Sequence, residues 1–373
     1  MQAEIVSIGN ELLWGLTVNS NAAYLSRELN RHGYTVVRHT AVSDHPAEIE
    51  ATFKEALSRS SIVIATGGLG PTLDDLTRTA AAPFLEKPEE LKNSVGTAPG
   101  VFSFSNGKAI VLLPGVPKEM EAMFANEALP KLLRHFKEKQ KSHLVRSRLC
   151  LLKEVEVDPF LRELKAAHPD VEIGIFPALG SLQIVFQSAH PVDKLVQALE
   201  RRYREFVLGD LSVEEALQKE MIENQKKLAL AESITGGAIA ARLTAIPDCS
   251  QYFLGSVVAY SNEWKERHLH VSHTTLEKDG AVSRKTVEEM VQCLLSETNA
   301  DFAAAVSGIA GPSGGSEKKP VGTVYIAVGE RGKKIDAGKI QAPQNRASAI
   351  ELTVQTALGA LWRRAAHNAF TFS

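Results

Sequence analysis

The ten residues LALAESITGG, at positions 228–237, predict a buried strand that runs directly into a helix. Residues 228–231 form a short apolar run typical of a strand inside a sheet, and residues 238–244 have the composition of a helix. Ser233 therefore lies on the turn between the two. At such a turn, unpaired backbone N–H groups can hold an anion or a developing oxyanion. On its own, Ser233 could equally be a helix N-cap, which serine favours.

A second apolar run, residues 253–258, precedes Tyr260 and Lys265. Two such strands, if parallel, end at the same edge of a sheet, so these side chains can lie close to Ser233. A serine, a tyrosine and a lysine beside a helix N-terminus can form an amide-cleaving site without histidine. The lysine can act as the base if partial burial lowers its pKa toward neutrality.

The first part of the chain alternates apolar strands with helices. The predicted strands cover residues 4–9, 35–40, 61–66, 100–104 and 109–113. The predicted helices begin near Ser20, with Ala22, Leu25 and Leu29 on one face, at Pro46, with Ile49, Phe53 and Leu57, and over residues 74–85 and 118–136. This alternation predicts a doubly wound, mainly parallel sheet with sites at the carboxyl ends of its strands.

The charged run at residues 137–141 predicts a solvated linker that ends the first domain. A compact β-α-β-β-α pattern follows, with segments at residues 146–152, 159–167, 171–176, 182–188 and 192–206. From about Val213 the chain alternates helix and strand again. We predict an α/β protein with three domains, at residues 1–143, 144–211 and 212–370, the middle one a small α+β domain.

Composition excludes several classes of protein. Of 373 residues, 44% are hydrophobic and 23% are charged, which is ordinary for a globular chain. The formal net charge of −2 gives no sign of a nucleic-acid partner. The three cysteines are far apart, which favours a reducing compartment. No signal peptide and no apolar run long enough to span a membrane is visible. We therefore expect a cytoplasmic protein without membrane or nucleic-acid partners.

Five motifs in the last third of the chain occur in a familiar order, at residues 231–237, 260–265, 280–283, 307–312 and 320–324. Together they resemble the CinA C-terminal domain, the nicotinamide mononucleotide (NMN) deamidase family. The segments SIGNELL, residues 7–13, and TGGLGPTLDD, residues 66–75, resemble the CinA N-terminal domain. The resemblance implies a molybdopterin-binding-like N-terminal domain, a KH-like connecting domain and a C-terminal α/β deamidase domain.

The resemblance also implies roles for residues of the last domain. It maps the catalytic nucleophile and base onto Ser233 and Lys265, with Tyr260 as a hydroxyl partner or proton relay. The reaction it implies converts NMN and water to nicotinic acid mononucleotide and ammonia, in pyridine-nucleotide salvage, with no cofactor. The predicted substrate-binding residues are Thr235, Gly236, Gly237, Gly308, Gly311 and Arg346. The first three offer backbone N–H groups for the oxyanion or for the 5′-phosphate, while Arg346 is the candidate phosphate partner.

For the N-terminal domain, some members of the family hydrolyse ADP-ribose. The resemblance predicts phosphate binding by Gly67, Gly68, Gly70 and Thr72, and a divalent metal ion, Mg or Co, at Asp74 and Asp75. However, the chain is much shorter than the family between residues 85 and 95, where other members carry a helix and a loop over the pocket. We expect this domain to keep its fold and to have lost its activity.

Two rival functions remain beside NMN deamidation: ADP-ribose hydrolysis by the N-terminal domain, and nucleotide binding without turnover. His268, His270 and His273 invite a metal-site interpretation, but no carboxylate or cysteine of the motifs completes a ligand set, so we expect surface positions. We expect small-molecule nucleotides as ligands, NMN first and ADP-ribose second, and a homo-oligomer, namely a dimer.

Overall fold

The computed structural model describes residues 1–70, 76–136 and 143–370 and divides into two compact units, Met1–Leu144 and Val145–Ser373. The described residues form an α/β protein with three sheets. Among the described residues, none of the helices combines the length and apolarity needed to cross a bilayer.

The first unit is built around a six-stranded sheet. Its strands are β1 Gln2–Ile8, β2 Thr35–Val42, β3 Ile62–Thr66, β4 Glu89–Leu91, β5 Gly100–Ser105 and β6 Lys108–Leu113, in the order β2-β1-β3-β6-β5-β4. Strands β1, β2, β3 and β6 are parallel, and β5 and β4 complete the sheet antiparallel. The five predicted strands are confirmed. Strand β4 was missed because it has only three residues, two of them exposed glutamates.

Helices cover both faces of this sheet, as predicted for a doubly wound fold. They are α1 Asn10–Leu13, α2 Ser20–Arg31, α3 Pro46–Arg59, α4 Thr77–Ala81, α5 Pro117–Met123 and α6 Leu129–His135. Helix α2 begins at Ser20 and buries Ala22, Leu25 and Leu29, as expected. Within the predicted helix over residues 74–85, the described part contains only α4 and a 3₁₀ turn. A π-helical turn joins α5 to α6, so the last predicted helix is continuous but irregular.

The second unit begins with a four-stranded sheet. Its strands are β7 His143–Cys150, β8 Glu172–Ala178, β9 Ser181–Ser188 and β10 Val207–Gly209, in the order β10-β7-β9-β8, with helices α7 Glu154–Ala167 and α8 Asp193–Arg202. Strand β10 pairs antiparallel with β7, and β8 pairs antiparallel with β9. The prediction placed the start of helix α7 at Pro159. The helix begins five residues earlier, at Glu154. The Glu156 carboxylate accepts from the Lys153 backbone N–H at 2.7 Å, which starts the helix at that point.

A five-stranded sheet forms the rest of this unit. Its strands are β11 Leu228–Glu232, β12 Phe253–Val258, β13 Phe302–Gly308, β14 Thr323–Glu330 and β15 Asp336–Gln341, in the order β12-β11-β13-β14-β15. The helices are α9 Val213–Glu223, α10 Ala238–Thr244, α11 Asn262–Leu269, α12 His273–Lys278, α13 Arg284–Glu297 and α14 Arg346–His367. Helices α9 and α14 pack on one face of the sheet and α13 on the other.

Strands β12, β11 and β13 are mutually parallel, so their carboxyl ends lie at one edge of the sheet. The residues that follow these three strands therefore converge there. The predicted boundary between residues 211 and 212 falls between β10 and α9, inside the second compact unit. The three-domain boundaries stay a prediction.

Candidate active site

The turn at residues 233–237 connects β11 to α10 and holds Ser233, which is only 7% exposed. Gly236 and Gly237 have φ values of 60° and 101°, a left-handed backbone that glycine adopts without strain. The Ser233 N–H donates to the Val306 carbonyl of β13 at 3.1 Å, and the Gly236 N–H donates back to the Ser233 carbonyl. These contacts fix the serine at the carboxyl edge of the sheet.

Lys265 reaches the same point from the first turn of α11. The Ser261 hydroxyl caps this helix by accepting from the Trp264 N–H at 3.2 Å. The Lys265 side chain is 1% exposed, and its Nζ lies 3.1 Å from Ser233 Oγ. It also donates to the carbonyls of Ala259, at 2.9 Å, and Tyr260, at 3.2 Å. Burial lowers the pKa of Lys265 to about 8, because desolvation disfavours the ammonium.

These three neighbours suit either protonation state of Lys265. An ammonium has three N–H donors, one for each acceptor. A neutral amine keeps two donors for the Ala259 and Tyr260 carbonyls and turns its lone pair to the Ser233 hydroxyl, which then donates to it. The arrangement can therefore take up the serine proton without moving a side chain.

Tyr260 is the third predicted catalytic residue, and its hydroxyl bonds to Arg346 rather than to Ser233 or Lys265. Its ring is 61% exposed, and its hydroxyl accepts from Arg346 Nη2 at 2.9 Å. Arg346 Nη1 also donates to the Gly311 carbonyl at 3.2 Å, so three predicted site residues form one group. Within the described residues, the Tyr260 hydroxyl makes no hydrogen bond to Ser233 or Lys265; only its backbone carbonyl contacts the lysine.

A cavity of about 150 Å³ opens over the serine and lysine. It is lined by Ser233, Ile234, Tyr260, Lys265, Ala281, Val282, Ser307, Gly308 and Ala310. A Cβ on Gly308 would lie 2.8 Å from Ile234 Cδ1 and 3.0 Å from the Thr323 carbonyl oxygen, so the lack of a side chain at Gly308 helps β13 to pack closely against the 233–237 turn. Ser307, 1% exposed, donates from Oγ to the Ala281 carbonyl at 2.7 Å and fixes the facing wall.

Glu232 organises the turn, a role that the sequence analysis did not assign. It is completely buried at the end of β11. Its Oε2 accepts from Thr235 Oγ1 at 2.7 Å and from the N–H groups of Gly237 and Ile239 at 3.0 Å. Its Oε1 accepts from the Ala240 N–H and from Ser256 Oγ, both at 3.0 Å. The feature of the sequence that could have indicated this role is a glutamate at the end of an otherwise apolar strand.

The backbone N–H groups of the 233–237 turn can now be assigned individually. Those of Ser233, Gly236 and Gly237 have internal acceptors, as given above. Within the part of the chain that the structure describes, the N–H groups of Ile234 and Thr235 have no hydrogen-bond partner, although both residues are at least 95% buried. Thr235, Gly236 and Gly237 were predicted to offer N–H groups here, and among the described residues only the Thr235 N–H lacks an acceptor.

In the first unit, the predicted glycine loop follows β3. A Cβ on Gly67 would lie 2.0 Å from the Ile8 carbonyl oxygen, and one on Gly68 would lie 2.4 Å from Thr77 Oγ1. Both positions thus require glycine. Gly70 is the last described residue of this loop, and Thr72, Asp74 and Asp75 lie outside the described residues. Among the residues that are described, no group of three or more His, Cys, Asp or Glu side chains is placed to hold a metal ion.

The three histidines of the α11–α12 region have other partners. His273 pairs with Glu266 at 2.8 Å and with Glu277 at 3.2 Å, and these carboxylates raise its pKa. The ring of His268 packs against Trp264 with centroids 4.3 Å apart. His270 has a left-handed backbone at the end of α11. These contacts fit the expected surface positions.

Comparison with known proteins gives two family matches. Residues 210–365 match the model described as CinA C-terminal domain, and residues 4–134 match the model described as probable molybdopterin binding domain. These matches confirm the predicted family resemblance and the predicted fold class of both regions.

Among similar proteins, a putative competence-damage inducible protein of Alkaliphilus oremlandii is 34% identical, with 88% of this chain and 90% of that protein covered. A CinA-like protein of Thermotoga neapolitana is 36% identical with the same coverage. A solved structure, competence damage-inducible protein A of Klebsiella pneumoniae, shares 35% identity over 42% of this chain and 96% of that chain, with a TM-score of 0.40.

Proposed function

This chain belongs to the CinA family, and we propose that residues 212–370 form an amidohydrolase that converts NMN and water to nicotinic acid mononucleotide and ammonia. One observation carries the proposal. A buried lysine whose pKa is lowered to about 8 lies 3.1 Å from a buried serine hydroxyl at the edge of a cavity. A serine hydroxyl is a weak nucleophile unless a neighbouring base takes its proton, and Lys265 is placed to do so.

In the first half of the reaction, Ser233 Oγ attacks the carboxamide carbon and its proton passes to Lys265 Nζ. The carbonyl oxygen becomes an oxyanion, which unpaired N–H groups can stabilise. The C–N bond then breaks, and Lys265 returns the proton to the departing ammonia. The product of this half is an ester between the nicotinoyl group and Ser233.

In the second half, water attacks the ester carbon and gives its proton to neutral Lys265. The C–Oγ bond breaks, and Lys265 returns that proton to Ser233 Oγ, which releases nicotinic acid mononucleotide. The same base thus acts twice, and no metal ion or cofactor takes part in either half. The cationic pyridinium ring of NMN withdraws electrons from the carboxamide and makes its carbon more electrophilic.

The cavity fits part of this substrate. At about 150 Å³ it is smaller than the 300–1,000 Å³ of typical ligand pockets, so it suits the carboxamide and the ring but not the entire nucleotide. The ribose and the 5′-phosphate would extend outward past Tyr260. There the exposed guanidinium of Arg346 can bind the phosphate in a bidentate manner.

An ammonia-release assay with purified full-length protein tests the proposal. We expect ammonia from NMN, none from free nicotinamide, and none from NAD, whose second nucleotide blocks the phosphate position. The chemically matched control is Ser233→Ala. Failure of the wild-type protein to release ammonia from NMN would refute the assigned substrate. It would favour nucleotide binding without turnover if NMN still bound.

A further inference from the structure

The Glu232 carboxylate is a buried anion whose five hydrogen-bond donors are all uncharged. Three are backbone N–H groups, of Gly237, Ile239 and Ala240, and two are the hydroxyls of Thr235 and Ser256. The backbone donors belong to the N-terminal end of α10, where N–H groups lack partners inside the helix and the helix dipole favours negative charge. The protein therefore supplies its own anion at this helix end.

This arrangement decides which N–H groups remain for a substrate. Among the described residues, every N–H group at the N-terminal end of α10 has an acceptor, and Glu232 accepts from those of Gly237, Ile239 and Ala240. The only N–H groups of the 233–237 turn without acceptors, among the described residues, are those of Ile234 and Thr235. These two directly follow the nucleophile, and Ile234 lines the cavity. A tetrahedral intermediate on Ser233 Oγ needs N–H donors for its oxyanion, and these two neighbouring groups remain for that role.

We infer that Glu232 is a positioning residue for the proposed deamidation, which this inference takes as its premise. Its carboxylate holds the 233–237 turn in the conformation that leaves the Ile234 and Thr235 N–H groups free to stabilise the oxyanion. The turn is thereby an oxyanion site, and the phosphate of the substrate binds elsewhere. Glu232 itself touches neither the substrate nor the reacting atoms.

Glutamine is the sharpest substitution, because it keeps the size of the side chain. Its amide nitrogen cannot accept a hydrogen bond, so either orientation sets an N–H donor against a backbone N–H of α10. The better orientation places the nitrogen next to Ser256, whose hydroxyl can accept, and leaves the Ala240 N–H unpaired. The negative charge at the helix end is also lost. We expect both changes to allow the 233–237 turn to leave its present conformation.

The first experiment compares the steady-state kinetics of wild type and Glu232→Gln. We expect kcat for NMN to fall about 100-fold, the cost of weakening oxyanion donors, with KM unchanged. We expect the same fractional loss with nicotinamide riboside, which lacks the phosphate. A rise in KM confined to NMN, with kcat unchanged, would mean that the turn binds phosphate and would overturn the inference.

Glu214→Gln is the matched control. Glu214 is a second buried carboxylate, 5% exposed, that also contacts α10, since it accepts from Arg242 Nε at 2.7 Å. Among the described residues, Glu214 makes no hydrogen bond or ion pair with the 233–237 turn. We expect wild-type kcat from this variant. An equal loss of kcat in both variants would show that any damage to α10 impairs the site, and Glu232 would have no special role.

A second experiment separates this inference from the identity of the substrate. A fluorophosphonate reacts with an activated serine: the Oγ–P bond forms, the P–F bond breaks, fluoride leaves and the serine proton passes to Lys265. We expect wild-type labelling at Ser233, identified by mass spectrometry, and labelling about 100-fold slower in Glu232→Gln. That result supports the inference even if NMN is not the substrate. Equal labelling rates would overturn it.

The variants Thr235→Val and Thr235→Ser keep the inference testable if Glu232→Gln does not fold. Valine keeps the shape of threonine but loses the hydroxyl that donates to Glu232, whereas serine keeps that hydroxyl. We expect a roughly tenfold slower labelling of Ser233 in the valine variant, equivalent to one lost hydrogen bond to a charged group, and a near wild-type rate in the serine variant. Equal rates in the two variants would overturn the inference.

Discussion

Ser233 Oγ and Lys265 Nζ lie 3.1 Å apart, although 32 positions separate the two residues in the chain. Two parallel strands, β11 and β12, bring them together, because each strand ends at the same sheet edge and each is followed by one of the two residues. The lysine is held by two backbone carbonyls as well as by the serine. Its orientation therefore does not depend on a bound substrate.

Replacing Ser233 by alanine removes the proposed nucleophile and little else. We expect NMN deamidation to fall at least about a thousandfold, as for other nucleophile deletions. The free energy of unfolding should change by at most about 1 kcal/mol, the value of a helix cap. Ammonia release and thermal unfolding measure the two effects. A folded alanine variant with normal turnover would remove Ser233 from the mechanism.

The pH profile tests Lys265 as the base. Below its pKa of about 8 the amine is protonated and has no lone pair for the Ser233 proton, so kcat should rise with pH and level off above about 8. Lys265→Arg should be inactive throughout, because a guanidinium does not deprotonate in this range. Lys319→Arg, at a lysine that donates to the Asp279 carbonyl, serves as a control and should keep wild-type activity. An active Lys265→Arg variant with the wild-type pH profile would contradict the assignment.

The sequence predicted that Ser233 and Lys265 can lie close together, because this prediction required only that β11 and β12 be parallel strands of one sheet. It did not predict the partner of the Tyr260 hydroxyl, because Arg346 lies 86 positions away in the chain. Nor did it predict the role of Glu232. A glutamate at a strand end is usually solvated, and its burial follows from the glycine turn folding back over it.

Arg346 and Tyr260 should affect substrate binding more than chemistry. Arg346→Gln removes the proposed phosphate partner, so KM for NMN should rise while kcat changes little, and the kinetics with nicotinamide riboside should be unaffected. Tyr260→Phe removes the hydroxyl that accepts from Arg346 and should produce a smaller rise in KM. The exposed Arg267 on α11 provides a charge-matched control, Arg267→Gln.

Other kinetic results for the Tyr260 and Arg346 variants would assign different roles to these two residues. If Tyr260→Phe lowers kcat strongly and leaves KM unchanged, its hydroxyl acts as a proton relay, and it must turn away from Arg346 during the reaction. If Arg346→Gln changes neither constant, the phosphate binds to another group. Steady-state kinetics with the two substrates at one pH distinguishes these outcomes.

The N-terminal domain should not hydrolyse ADP-ribose at a significant rate. The described stretch between residues 85 and 95 is short and contains only strand β4, so we expect no segment there to close over a bound nucleotide. Cleavage of a pyrophosphate requires that the group be clamped and its developing charge stabilised, which an open cleft does poorly.

The assay for ADP-ribose hydrolysis uses full-length protein with Mg²⁺ or Co²⁺. The Ser233→Ala variant is assayed beside it to exclude any contribution from the deamidase site. We expect no metal-dependent release of AMP from either protein. Brisk hydrolysis that survives Ser233→Ala would show that the short segment suffices and that this domain is a second enzyme.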